Sequence, residues 1–316
     1  MIEQLVAKNY GCLKDVTTPR LGMLHAFIGP NDSGKSTLLR AVETLGLGFA
    51  RHIDEKTRDR LEGDFELRAK VPGGEVVFHS LRGPQAVPKE LSSTGDEFRT
   101  RMARFDPDAL RRPSALIPDN GIVEFLDDRG QGLPGIYDAI VNRGDEAFAT
   151  IRSQVITLFP SVKTLRLKAV TQSEKILEIE LKDGTRVPAS LMSEGLLYFL
   201  AFAALPYLSP TSIVLVEEPE NGLHPARIAE VMTALRALSE SGTQVLLATH
   251  SPLVVNELRP DEVSVVTRDD AGTRVTLIKD TPNFAERSKV YALGELWVSY
   301  ANGEDEAPLL NGTAKT

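Results

Sequence analysis

Gly29-Pro30-Asn31-Asp32-Ser33-Gly34-Lys35-Ser36, followed by Thr37, fills every fixed position of the pattern G-x-x-x-x-G-K-[S/T]. The two glycines let the chain turn so that backbone N–H groups point inward around an anion. A helix starting at Lys35 adds its positive end to the same spot. Lys35 can reach a β- or γ-phosphate, and the Ser36 hydroxyl can serve Mg²⁺. The flanks agree. Met23–Ile28 is an apolar run that reads as a strand. From Lys35 to about Leu47, the residues Leu38, Leu39, Val42 and Leu45 recur at helical spacing. Strand, loop and helix in that order are the setting a phosphate loop needs.

Working outward, a second apolar run, Ser212-Ile213-Val214-Leu215-Val216, ends in Glu217-Glu218-Pro219-Glu220. A buried strand that delivers acids at its C-terminal end suits an α/β nucleotide site. We assign Glu217 to the metal and Glu218 to polarising an attacking water. A third strand, Gln244–Ala248, leads into Thr249-His250-Ser251-Pro252. A histidine just past a buried strand can face a terminal phosphate or the attacking water, and His250 takes that role. His224, in Gly222-Leu223-His224-Pro225, either joins the site or only shapes the turn.

Four elements then stand in order: Gly29–Thr37, Met192-Ser193-Glu194-Gly195, the strand to Glu218, and Ala248-Thr249-His250-Ser251. Together they resemble the ATP-binding-cassette (ABC) ATPases, in the soluble branch of the SMC proteins, RecF and the overcoming-lysogenization-defect (OLD) family. Glu217-Glu218-Pro219-Glu220-Asn221-Gly222-Leu223-His224-Pro225 is the sharpest marker. It is similar to the E-E-P-E-x-x-L-H-P segment of OLD-like ATPases. The resemblance implies an α/β P-loop fold of the ABC-ATPase head type, a mixed sheet carrying an inserted α+β lobe. It implies ATP and Mg²⁺ as cofactors, and Mg²⁺-dependent hydrolysis with Lys35, Glu218 and His250 as catalytic residues. Gly29, Pro30, Asn31, Asp32, Ser33, Gly34, Lys35, Ser36 and Thr37 would bind the nucleotide. Ser36 and Glu217 would hold the metal. It further implies a head-to-tail dimer of two identical chains, in which Ser193 and Gly195 reach the nucleotide of the partner. Here the chain departs from the transporter pattern Leu-Ser-Gly-Gly-Gln: Glu194 stands at the first glycine and Leu196 at the glutamine. The family's glutamine-bearing loop is not legible, and Gln131 is a candidate by position alone.

The expected organisation is an ATPase core from residues 1–50 and 190–300, a middle lobe over 51–189 with hairpins and helices, and a disordered tail over 302–316. The net charge of −8 argues against coating nucleic acid by bulk charge. Arg99, Arg101, Arg104, Arg111 and Arg112 form a local basic cluster. It is either a DNA contact or a solvated face paired with Asp106 and Asp108. Cys12 is the only cysteine, which excludes an internal disulfide and fits a reducing, cytoplasmic compartment. The longest strongly apolar stretch, Gly195–Leu208, is shorter than the roughly 20 residues a bilayer needs, so no membrane contact is expected. The N-terminus shows no signal-peptide pattern. Asp269-Asp270-Ala271-Gly272 reads as a hairpin turn, not as nuclease ligands, and no Toprim nuclease site is expected after His250. The functional expectation is an ATP-gated dimer that controls a separately encoded effector, DNA, or both, in anti-phage defence. The rivals are a RecF- or SMC-like DNA-repair clamp and a nucleotide-controlled scaffold with little turnover.

Overall fold

A computed structural model describes residues 1–47, 64–80, 98–144, 146–282 and 284–301. The expected tail, 302–316, lies outside the described residues. The strands in chain order are β1 Gln4–Tyr10, β2 Leu13–Thr17, β3 Leu24–Ile28, β4 Phe65–Val71, β5 Gly74–Ser80, β6 Thr100–Ala103, β7 Ser114–Ala115, β8 Val162–Ala169, β9 Glu174–Leu181, β10 Arg186–Pro188, β11 Ile213–Glu217, β12 Gln244–Thr249, β13 Val263–Asp269 and β14 Gly272–Leu277. The helices used below are α1 Lys35–Leu47, α2 Leu133–Asn142 and α3 Glu194–Ala204.

The chain packs as two compact units. The first comprises Met1–Met102, Thr211–Pro219 and Ser239–Thr316, and the second Ala103–Pro210 and Glu220–Leu238. In the first unit a six-stranded mixed sheet runs β14-β13-β3-β12-β11-β6. Its central strands β11, β12 and β3 are buried at every residue. That is why they read as unbroken apolar runs rather than as alternating ones. Parallel pairing sets Glu217 beside Ala248 and Thr249 beside Ile28. The C-terminal ends of β11, β12 and β3 therefore lie in one row.

A second sheet in this unit runs β2-β1-β4-β5. The hairpin β4–β5 belongs here. Strand β4 pairs antiparallel with β1, from Gln4 opposite Lys70 to Lys8 opposite Glu66. The expected middle lobe, residues 51–189, would include these two strands; they pair instead within the first unit. Alternation explains the pairing: Leu5 and Ala7 from β1, and Leu67 and Ala69 from β4, all turn into one core. The predicted stripe of α1, Leu38, Leu39, Val42 and Leu45, fills that core together with Phe27, Leu215 and Leu246. Gln244 locks the N-terminus to this unit. Its amide donates to the carbonyls of Ile2 (2.8 Å) and Gly22 (2.9 Å), and it accepts from Ile2 N–H at 2.7 Å.

His25 on β3 is fully buried, and its Nε2 lies 2.9 Å from Ser264 Oγ. Burial pushes its pKa down to about 4, against the weaker pull of Glu262 and Asp261. The unfolded chain thus binds this proton more tightly than the folded one. The stability that His25 supports is complete above its unfolded pKa and is lost as pH falls from about 6.5 toward 4. From pH 7 to pH 5 the wild type should lose about 2 kcal/mol more than His25→Gln. Urea unfolding of both proteins at the two pH values measures this; equal losses would remove His25 from the acid response.

The second unit carries a four-stranded sheet in which β10, β8 and β7 all pair with β9. Helix α3 is buried from Leu196 through Ala204, which accounts for its nearly continuous apolar sequence. Tyr137 of α2 donates its hydroxyl to the Leu200 carbonyl at 2.9 Å, so its buried polar end is satisfied. No helix among the described residues is long and apolar enough to cross a membrane.

Candidate functional site

The row of strand ends in the first unit brings three sequence features together. The Gly29 loop follows β3, Glu218 follows β11, and His250 follows β12. The loop has an unusual backbone. Asp32 takes φ +62° and Gly34 φ +111°, with Ser33 between them. Asp tolerates the left-handed region better than most residues, and glycine enters it without a steric cost. Alternation of this kind makes the concave nest of amides that binds phosphates. Gly29 cannot be replaced without movement, because a Cβ there would stand 2.2 Å from the Val266 carbonyl.

Lys35 is only 5% exposed, and its ammonium donates to the carbonyls of Gly29 (2.8 Å) and Pro30 (2.9 Å). Ser33 Oγ is buried and lacks a hydrogen-bond partner. A buried hydroxyl beside a ring of amides fits a site shaped for an anion's oxygens. Ser36 is exposed, Thr37 half-buried, and Asn31 and Asp32 exposed at the rim. Glu217 is buried at the end of β11. A hydroxyl and a carboxylate are hard oxygen donors of the kind Mg²⁺ selects, so Ser36 and Glu217 suit that ion.

Glu218 is held in a strained form. Its φ is +48°, uncommon for a residue with a side chain, and its N–H donates to the Ala248 carbonyl at 2.8 Å. This kink aims the carboxylate at β12's end, where Oε2 lies 2.5 Å from His250 Nδ1. Trp297, which sequence reading did not single out, donates Nε1–H to the His250 carbonyl at 3.1 Å. It is the only tryptophan in the chain. That rarity was the one available hint.

The second unit holds the remaining candidates. Ser193 occupies the N-cap of α3, yet its side chain makes no capping bond. Ser193 and Glu194 are exposed and Gly195 is half-buried, so the turn is presented outward. The Arg111 guanidinium braces it, donating to the Met192 carbonyl at 3.4 Å and pairing with Asp108 at 2.9 Å. That ion pair gives Arg111 a structural post within the basic cluster. The Glu220–His224 loop lies against the same helix. Gly222 has φ +68°, and a Cβ there would meet the Tyr198 ring at 2.3 Å. His224 Nδ1 accepts from Ala226 N–H at 3.2 Å and so caps the turn Pro225–Arg227. Of its two readings, the turn-shaping one is what this bond describes.

Known proteins supply the comparison. A family model described as "AAA domain, putative AbiEii toxin, Type IV TA system" matches residues 24–134 and 119–256. The OLD nuclease of Thermus scotoductus is 49% identical over 344 aligned positions, which cover 85% of this chain and 62% of that protein. The ABC transporter ATP-binding/permease protein Rv1747 of Mycobacterium tuberculosis is 26% identical over 236 residues, covering 74% of this chain and 20% of that protein. The chain therefore spans less than two thirds of either relative. An SMC head solved in complex with the C-winged helix domain of ScpA superposes with a TM-score of 0.60 at 18% identity. That superposition covers 87% of this chain and 96% of the head, and it shows the shared fold. With more than half of its length inside the family model, the chain belongs to the AAA-domain family, and its sequence is similar to that of the OLD nuclease.

Proposed function

We propose that the chain binds and hydrolyses ATP with Mg²⁺, and that two copies close head to tail around the nucleotides. The observation that carries this reading is the row formed by the Gly29–Ser36 loop, Glu217-Glu218 and His250 at adjacent parallel strand ends, with Glu218 bonded to His250. The loop amides and Lys35 hold the phosphates. Ser36 and Glu217 would hold Mg²⁺, which when bound would offset the negative charge of the phosphates. Glu218 orients the attacking water and takes its proton. His250 keeps the carboxylate aimed and senses the terminal phosphate. Ser193 and Gly195 serve the partner chain's nucleotide, which matches their outward display and the unused hydroxyl of Ser193.

The closed dimer controls an effector of the nuclease or toxin class, alone or with DNA, in defence against phage. The likeness to the Thermus OLD nuclease and the toxin wording of the family description support that class. The test is capture from native cells with the Glu218→Gln form as bait, before and after phage challenge. A nuclease- or toxin-class protein enriched with ATP is the expected result. Recovery of no protein partner under either condition overturns the effector reading.

A further inference from the structure

The carbonyls of the phosphate loop are gripped from outside by the β13–β14 hairpin. The Thr273 hydroxyl donates to the Ser33 carbonyl at 3.1 Å, and Arg268 Nη1 donates to the Asp32 carbonyl at 3.3 Å. These are consecutive carbonyls at the centre of the loop. Arg268 and Thr273 are direct partners in the hairpin register, so both side chains leave the same face of the ribbon. The same strand supplies the Val266 carbonyl against which Gly29 is seated. One hairpin thus holds the loop at its start and at its middle.

The geometry has a direct consequence for anion binding. A peptide unit is a rigid trans plane, so turning its carbonyl outward turns the following N–H inward. Holding the Ser33 carbonyl directs the Gly34 N–H into the concavity. Holding the Asp32 carbonyl directs the Ser33 N–H across the loop, where it faces the Pro30 carbonyl at 3.4 Å. The left-handed turns at Asp32 and Gly34 flank the gripped segment. Left ungripped, they would let these peptide planes rotate.

We propose that Thr273 and Arg268 are positioning residues for the phosphate loop, a cross-strand clasp that presets its amides and so sets nucleotide affinity. This rests on the reading of Gly29–Ser36 as the phosphate site. Thr273 is buried and Arg268 exposed, so the hydroxyl carries the larger share.

The test is binding of a fluorescent ADP analogue to the full chain, with melting curves alongside. Thr273→Val leaves the Ser33 carbonyl buried without its donor and should weaken binding about tenfold. Thr273→Ser should restore most of it, a rescue that packing alone would not produce. Arg268→Gln, which acts at the surface and keeps the fold, should weaken binding about threefold. Thr276→Val, on the exposed face of the same strand, should leave binding unchanged. Wild-type affinity in both Thr273→Val and Arg268→Gln, with Lys35→Ala unable to bind, overturns the clasp and spares the loop reading. Undiminished binding by Lys35→Ala overturns the loop reading and the clasp with it.

Discussion

Glu218→Gln should lower ATP turnover by about a thousandfold while leaving ATP bound, the size of effect expected for loss of a positioned general base. The substitution keeps shape. An amide fits the space of the carboxylate, and the strained turn at φ +48° depends on the Glu218 N–H and the Ala248 carbonyl, which the change does not touch. What disappears is a group able to take a proton from water. The 2.5 Å contact between Glu218 Oε2 and His250 Nδ1 indicates that this carboxylate is aimed rather than free to wander. The phosphate loop is untouched, so nucleotide affinity should stay within about twofold of wild type. A chain that binds but cannot hydrolyse should accumulate in its closed dimer. Size-exclusion chromatography with light scattering in ATP would then show a dimer in the variant that outlasts the wild type's. Phosphate release at the wild-type rate would remove Glu218 from the catalytic role. Background turnover without any ATP-dependent dimer would keep Glu218 and sink the composite site.

What could be read in the sequence follows the range of the interactions. The phosphate loop is local: its residue types, its glycines and the stripe of α1 lie within one strand–loop–helix unit. The strands β3, β11 and β12 were legible because burial on both faces leaves a continuous apolar run. The order of Glu218 and His250 could be read, but their contact could not, since it depends on parallel register between β11 and β12. The hairpin β4–β5 carries turn-forming residues at Pro72-Gly73-Gly74, whereas its pairing with β1 is non-local and left no mark in either segment. Strand β2 is short and half-exposed, and its sequence shows little pattern. The clasp is the extreme case. Thr273 and Arg268 act on carbonyls roughly 240 positions earlier in the chain, through ordinary side chains and backbone acceptors. A backbone acceptor has no residue identity, so no motif can record it.

Lys35→Ala should abolish nucleotide binding, with a loss of at least about a hundredfold in ADP affinity. The reason lies in what the ammonium does before any nucleotide arrives. It is buried and rests on the Gly29 and Pro30 carbonyls at 2.8 and 2.9 Å, at the mouth of the loop it is expected to serve. Removing it takes away a cation for the phosphates and also uncouples the loop's first two peptides from the first turn of α1. These two effects can be separated. Lys35→Met keeps the aliphatic stem and its packing but lacks the charge and the donors. If the charge dominates, Met and Ala variants should lose affinity alike and differ only in melting temperature. If loop order dominates, Met should recover part of the binding. Both should retain the fold, since α1 is anchored independently by Leu38, Leu39, Val42 and Leu45. Titration calorimetry with ADP and Mg²⁺ decides between them. Wild-type affinity in Lys35→Ala would mean that the nest between Asp32 and Gly34 serves something other than a nucleotide's phosphates.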